Sequence, residues 1–200
     1  MFVVLEGGEG AGKSTLAEAL AGRLRAAGRE VVVTREPGGT RVGELLRGLL
    51  HEPLSPWAET FAFLTARAQL VAEVIRPALE RGAVVLCDRF APSTFAYQGY
   101  ARGLDLGELR TANAIATGGL QPDLVLYLDL PPEVGLPRKH GESEAIRTGL
   151  EGLAFHRAVR EGYHALAKAA PPGAWVTIDA TRPPAEVAAE AWDAVNRHRI

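Results

Sequence analysis

Glycines at positions 7, 8, 10 and 12, followed at once by Lys13, Ser14 and Thr15, are spaced to wrap an anion. Glycine takes backbone conformations closed to other residues, so successive N–H groups along Gly7, Gly8, Glu9, Gly10, Ala11 and Gly12 can turn inward and replace water around phosphate oxygens. A helix beginning near Lys13 adds unpaired N-terminal donors and the positive end of its dipole. In this GxxxxGKS pattern the Lys13 ammonium reaches the β- and γ-phosphates, and the Ser14 hydroxyl can sit on a magnesium ion. The apolar run Phe2-Val3-Val4-Leu5 leads directly into the loop, the strand-to-helix context that separates a phosphate loop from an ordinary glycine-rich turn. The chain is expected to use a nucleoside triphosphate.

Three further clusters carry chemistry. Asp88-Arg89-Phe90-Ala91-Pro92-Ser93-Thr94-Phe95-Ala96-Tyr97-Gln98-Gly99 reads as a polar loop leaving a strand. Arg89 can hold phosphoryl oxygens with its planar fork, and Asp88 can organise magnesium-bound water or a basic partner. Thr94 and Gln98 are spaced to reach a nucleobase edge; an Asp-Arg pair capping a helix is the blander reading of the same segment. Thr34-Arg35-Glu36-Pro37-Gly38-Gly39-Thr40 forms a turn with an Arg-Glu pair, and Arg35 and Arg47 could clamp a second phosphorylated molecule. Phe63 and Arg67, four apart on a helix, share a face where a ring and a guanidinium can stack on and hydrogen-bond to a flat base. Taken alone, Phe63 would read as ordinary core.

The elements that must hold these groups follow from the hydrophobic pattern. Branched apolar runs at Phe2 to Leu5, Glu30 to Thr34, Ala83 to Cys87, Leu124 to Leu130 and Trp175 to Ile178 alternate with long stretches of helical spacing. This predicts an α/β fold, a five-stranded parallel sheet flanked by helices on both faces, with ligands at the carboxyl ends of the strands. Helices are expected over about Lys13 to Ala27, Arg41 to Leu50, Pro56 to Arg81, Asp105 to Gly118, Pro132 to Arg138, Leu150 to Ala169 and Pro183 to Arg197. Pro77 should kink or break the third.

The 200 residues, 47% of them apolar, fit one domain, with no linker dividing them. No apolar run approaches the roughly 20 residues needed to cross a bilayer, and no basic-then-apolar leader is apparent, so a cytoplasmic protein is expected. Cys87 is the one cysteine, read as a buried structural thiol. A net charge of −2 with interspersed signs argues against a nucleic-acid partner.

Together these segments closely resemble the bacterial thymidylate kinase family. The resemblance runs nearly end to end, including Gln121-Pro122-Asp123-Leu124, Leu128-Asp129-Leu130-Pro131-Pro132-Glu133-Val134-Gly135 and Phe155-His156-Arg157-Ala158-Val159-Arg160-Glu161-Gly162-Tyr163. It implies a P-loop nucleotide kinase fold and transfer of the γ-phosphoryl group of ATP to dTMP, giving dTDP and ADP, with magnesium required. It implies that Gly7 to Thr15 bind ATP, with Arg182, in the loop after the fifth strand, near adenine. It further implies that Glu9 bonds the deoxyribose 3'-hydroxyl, Phe63 stacks on thymine and Arg67 donates to its 4-carbonyl. Thr94 and Gln98, with Ser93 nearby, would lie at the base edge, and Tyr97 would crowd the sugar 2' carbon. Arg35, Arg47 and Arg89 would hold the acceptor phosphate, Asp88 would order magnesium water, and a homodimer would form by helix packing.

The phosphate loop carries Gly10 where one class of these kinases has arginine, so a short lid over about 137–149 is expected to supply the catalytic cations, from Arg138, Lys139 and Arg147. There the chain departs from the family's Asp-Arg-x-Glu element, reading Ile146-Arg147-Thr148-Gly149. Glu142, Glu144 or Glu151 is the expected substitute for the missing acids. The alternative on the same fold is a kinase for another nucleoside monophosphate or a deoxynucleoside. A non-catalytic nucleotide switch would need a guanine motif or an effector loop, and the sequence has neither.

Overall fold

The structure, a computed structural model, describes residues 1–139 and 151–198. Strands β1 (Phe2–Gly7), β2 (Val31–Arg35), β3 (Val84–Asp88), β4 (Leu124–Asp129) and β5 (Trp175–Asp179) form one parallel sheet in the order β2-β3-β1-β4-β5. The helices are α1 (Lys13–Ala26), α2 (Arg41–Leu49), α3 (Pro56–Leu70), α4 (Arg76–Glu80), α5 (Ala91–Thr94), α6 (Leu106–Thr117), α7 (Pro132–Lys139), α8 (Leu153–Ala169) and α9 (Pro184–Arg197).

Alternate residues of β1 face opposite ways. Val3 and Leu5 pack with Leu16, Leu20 and Leu24 of α1 and with Val187 and Ala191 of α9, while Phe2 and Val4 pack with Leu70, Val71 and Ile75 on the other face. Both faces being covered is why these strands read as unbroken apolar runs, each fully buried side chain contributing roughly 1.5–3 kcal/mol. Cys87 lies in the second layer, its thiol donating to the Arg89 carbonyl at 3.1 Å, and burial pushes its pKa well up. The reading of a structural thiol fits that setting.

The register decides where the chemistry gathers. Asp88 pairs with Leu5 on one side and Arg35 on the other, so the ends of β1, β2 and β3 open together on one edge. Helix ends follow from local chemistry: the Thr40 side chain caps α2 by accepting from Gly43 N, and that of Ser55 caps α3 from Ala58 N ahead of Pro56.

Two local expectations are corrected. The predicted helix over Pro56 to Arg81 is three pieces, and its irregularity lies at the π-helical turn Val71–Ile75, ahead of Pro77 rather than at it. Pro77 has no N–H for the carbonyl one turn back, and the widened turn absorbs the mismatch on that side. The segment after Asp88, expected as a loop, winds into α5 and a second π-helical turn, Phe95–Ala101. Ser93, Thr94, Tyr97 and Gln98 therefore project from helical backbone with defined spacing.

Most of the expected lid, with Arg147, Glu142 and Glu144, lies outside the described residues. Among the described residues, no helix is long and apolar enough to cross a membrane.

Candidate active site

The phosphate loop leaves β1 and enters α1 at the sheet's carboxyl edge. Gly7, at φ +150°, has no room for a Cβ beside the Leu128 carbonyl, and Gly12, at φ +88°, sits in the left-handed region that favours glycine. Lys13 Nζ donates to the carbonyls of Gly7 at 3.2 Å and Gly8 at 3.0 Å. Burial lowers its pKa, and repulsion from Arg89 adds to that, against the pull of Asp88, Glu9 and Glu6. A buried ammonium held at the phosphate loop by two loop carbonyls is poised to exchange them for phosphate oxygens. The cleft around it, with about 1230 Å³ of space open to solvent, is lined by Glu9 to Thr15, Arg35, Glu36, Pro37, Arg47, Asp88, Arg89 and Arg138.

Ser14 Oγ donates to Asp88 Oδ2 at 2.9 Å, while Asp88 Oδ1 is buried with no hydrogen-bond partner among the described residues. A hydroxyl beside a carboxylate with a spare oxygen suits magnesium, which takes one or two protein oxygens and completes its shell with water and phosphate. No group of three or more His, Cys, Asp or Glu side chains among the described residues makes a self-contained cation cage.

Arg89 joins this cleft to a second cavity. It is the one non-glycine residue with positive φ, +73°, among those described, a costly conformation that persists only where its surroundings enforce it. Glu6 supplies that enforcement. Fully buried at the end of β1, it accepts from Phe90 N at 2.9 Å, Ser93 N at 3.2 Å, Ser93 Oγ at 2.6 Å and Tyr163 Oη at 2.8 Å. Arg89 Nη2 in turn donates to Glu9 Oε1 at 2.8 Å, and its guanidinium lies over the Tyr97 ring at 5.0 Å. The Tyr97 hydroxyl donates to Glu9 at 3.4 Å.

Burial raises the Glu6 pKa above 4.5, outweighing its hydrogen bonds from Ser93, Phe90 and Tyr163 and the attraction of Arg89. A carboxyl with a raised folded pKa favours the folded state below about pH 4.5, and that contribution fades as pH rises through the folded value. Urea unfolding at pH 5 and pH 8 should therefore show Glu6→Gln closing part of its stability deficit at the higher pH. A deficit that widens instead would contradict the raised pKa.

The second cavity, about 370 Å³ of space when its solvent-open mouth is included, is lined by Glu9, Glu36, Pro37, Phe63, Arg67, Arg89, Ser93, Thr94, Tyr97 and Gln98. Arg67 is only 1% exposed. Its Nε and Nη2 fork onto Glu36, the shortest contact 2.6 Å, while Nη1 donates to Thr94 Oγ1 at 3.0 Å and Asn113 Oδ1 at 2.9 Å. Of the five N–H groups of a guanidinium, one on Nη2 remains for a ligand. Burial raises the Glu36 pKa, outweighing the attraction and the hydrogen bonds of Arg67, and the Arg67 fork makes three contacts to its two oxygens.

The two cavities share Glu9, Glu36, Pro37 and Arg89. Every residue expected around the acceptor lines one or the other, Arg35 and Arg47 lining the phosphate cleft. Arg35 is half exposed and pairs with Glu44 at 3.5 Å, while Arg47 donates to the Pro37 carbonyl at 3.3 Å. Arg138 reaches the phosphate loop, donating to Gly10 O at 3.4 Å.

Other expectations change. The Arg35-Glu36 pair of the sequence splits, because neighbouring residues leaving a strand point to opposite sides: Glu36 turns inward to Arg67 and Arg35 outward to Glu44. Arg182 lines none of these cavities, since Glu186 and Glu190, one and two turns along α9, hold its guanidinium at 3.1 and 2.6 Å. Glu151, a candidate lid acid, instead binds Arg102 at 2.8 Å. Glu6, Glu36 and Asn113 were missed as site residues. An acid closing the apolar run of β1 was the available signal for Glu6; nothing local marked Asn113.

A parallel sheet whose first strand runs into a phosphate loop, with an arginine-lined pocket opening from the same crevice, defines a P-loop phosphotransferase. The family model described as thymidylate kinase matches residues 5–191. A protein named thymidylate kinase from Synechococcus sp. (strain JA-2-3B'a(2-13)) is 54% identical over 197 residues, 98% of this chain and 94% of that one. Proteins of the same name from Thermomicrobium roseum and Deinococcus radiodurans are 53% and 50% identical, covering 97% and 98% of this chain and 93% and 96% of their own. The chain belongs to the thymidylate kinase family.

Proposed function

We propose that this chain transfers the γ-phosphoryl group of ATP to dTMP, producing dTDP and ADP for dTTP synthesis. The observation that carries the reading is the junction at Arg89 and Glu9 between a phosphate cleft and a pocket with one arginine donor left over. A nucleoside monophosphate laid across that junction has its base against Phe63 and Arg67, its sugar beside Glu9 and Tyr97, and its phosphate at Arg89. The free Nη2 hydrogen of Arg67 suits the 4-carbonyl of thymine and opposes the 4-amino group of cytosine. The Tyr97 ring, fixed under Arg89, crowds a ribose 2'-hydroxyl.

Catalysis in this arrangement is positioning plus positive charge, with no covalent intermediate. Lys13 and the loop N–H groups hold the β- and γ-phosphates, Arg89 aligns the acceptor oxygen, and Arg138 adds charge from α7. Arg147 would act from the lid segment. Ser14 and Asp88 would hold magnesium, which when bound neutralises phosphate charge. The chain is read as one kinase domain with a short lid, cytoplasmic, and paired as a homodimer through exposed Leu45, Leu49, Phe61 and Ile115 on the neighbouring helices α2, α3 and α6.

The loop also depends on α7. A Cβ on Gly135 would clash with the Glu9 carbonyl, and one on Gly10 with the Gly135 carbonyl. Gly135→Ala should cost about 1–3 kcal/mol by overpacking and raise KM for ATP more than for dTMP, as thermal unfolding and steady-state kinetics would report. The function itself is tested by a coupled ADP-release assay with ATP and magnesium. ATP turnover that depends on added dTMP is expected; turnover indifferent to every nucleoside monophosphate would overturn the reading.

A further inference from the structure

Gln98 lines the second cavity, yet its side chain is governed from outside it. Its Nε2 donates to Glu59 Oε1 at 2.7 Å, both residues being buried. Glu59 is held in turn by Arg102, whose Nη2 donates to Oε2 at 3.0 Å and Nε to Oε1 at 3.4 Å. Arg102 is itself anchored, its Nη1 donating to Glu151 at 2.8 Å and its guanidinium lying 4.8 Å from the Phe155 ring centroid. An ionised carboxylate has no hydrogen to give, so only the NH2 end of the Gln98 amide can face it. Oε1 of Gln98 has no hydrogen-bond partner among the described residues, and with Nε2 committed to Glu59 it is the amide end left for the pocket that Gln98 lines.

We propose that Glu59, with Arg102 behind it, is a positioning residue that sets pyrimidine specificity by fixing the Gln98 carbonyl as acceptor for the ring N3–H. Arg67 presents a donor and Gln98 an acceptor to adjacent edge atoms, which matches the 4-keto, N3–H edge and mismatches both atoms of cytosine. The role rests on the pyrimidine reading of the pocket made above. Glu59 touches no substrate; it acts through the amide it orients.

The test compares kcat/KM for dTMP, dCMP and the 3-deaza analogue of dTMP, a 4-hydroxy-2-pyridone whose ring C–H replaces N3–H while its 4-oxygen can still accept from Arg67, in wild type and Glu59→Gln. In the variant Arg102 keeps the new carbonyl, so the new NH2 faces Gln98 and turns that amide round. Wild type should prefer dTMP over the 3-deaza analogue by about tenfold or more. Glu59→Gln should bring that ratio close to one and lower the dTMP:dCMP ratio at least tenfold, mainly through KM for dTMP. A merely structural role would lower all three substrates alike and leave both ratios unchanged, which would overturn the proposal. Equal wild-type activity on dTMP and the 3-deaza analogue would do the same. If thermal unfolding finds Glu59→Gln unfolded, Arg102→Met, which frees Glu59 while leaving it in place, carries the same comparison: a reduced ratio supports the role and an unchanged one overturns it. Absence of wild-type turnover with dTMP would instead remove the functional reading beneath it.

Discussion

Lys13→Ala is expected to lower kcat by about 10³ while leaving dTMP affinity within threefold and the melting temperature no lower than that of wild type. One preorganised cation or donor aimed at transferring charge is worth about 10²–10³ in kcat, and Lys13 lies at the centre of the phosphate loop. Its ammonium is now occupied by the carbonyls of Gly7 and Gly8, which phosphate oxygens would replace. Its depressed pKa means that the folded chain holds this proton less readily than the unfolded one, a cost to stability that is absent above about pH 10.5 and builds as pH falls from there to the folded value. Removing the side chain therefore costs catalysis and relieves the fold. Coupled kinetics, dTMP titration calorimetry and thermal unfolding separate the effects; a destabilised variant with near-normal kcat would contradict the assignment.

The second large effect concerns Glu36. Glu36→Met leaves Arg67 buried without its counter-ion and should destabilise the chain by about 3–5 kcal/mol, the range for breaking a buried pair from one side. For a chain of this size that lowers the melting temperature by on the order of 10 °C. The double replacement Glu36→Met with Arg67→Met removes both charges and should recover most of that stability, because buried pairs exchanged for apolar side chains are often neutral. It should nevertheless lose discrimination between dTMP and dCMP. Recovered stability with selectivity intact would show that Arg67 does not read the base.

Legibility in the sequence followed the range of each interaction. The phosphate loop is local, its glycines and Lys13 lying within one turn of chain, and it read directly. Strands covered on both faces announced themselves as apolar runs, as β1 and β3 do. The Phe63 and Arg67 pairing was visible because a helix places residues four apart on one face. What holds Arg67 was not, since Glu36 and Asn113 lie 31 and 46 residues away and only the packing of α6 and the β2 exit on α3 brings them together. Adjacency misled at Arg35-Glu36, where the strand end sends the two side chains apart. The helical winding after Asp88 was hidden by Pro92 and Gly99, which punctuate loops in most sequences but here open α5 and sit within a π-helical turn. The ion pairs of Arg182 were open to reading as well, since Glu186 and Glu190 follow it at helical spacing.

Two linked cavities would act here as one transfer site with a pyrimidine-reading pocket. The most direct test is a one-pot competition, with γ-labelled ATP, magnesium and equimolar dTMP, dUMP, dCMP and UMP, the labelled products being resolved by chromatography. Label appearing chiefly in dTDP, with dCDP and UDP each at least about a hundredfold lower, is the expected result. Label spread evenly over the four diphosphates, or released only as inorganic phosphate, would contradict it.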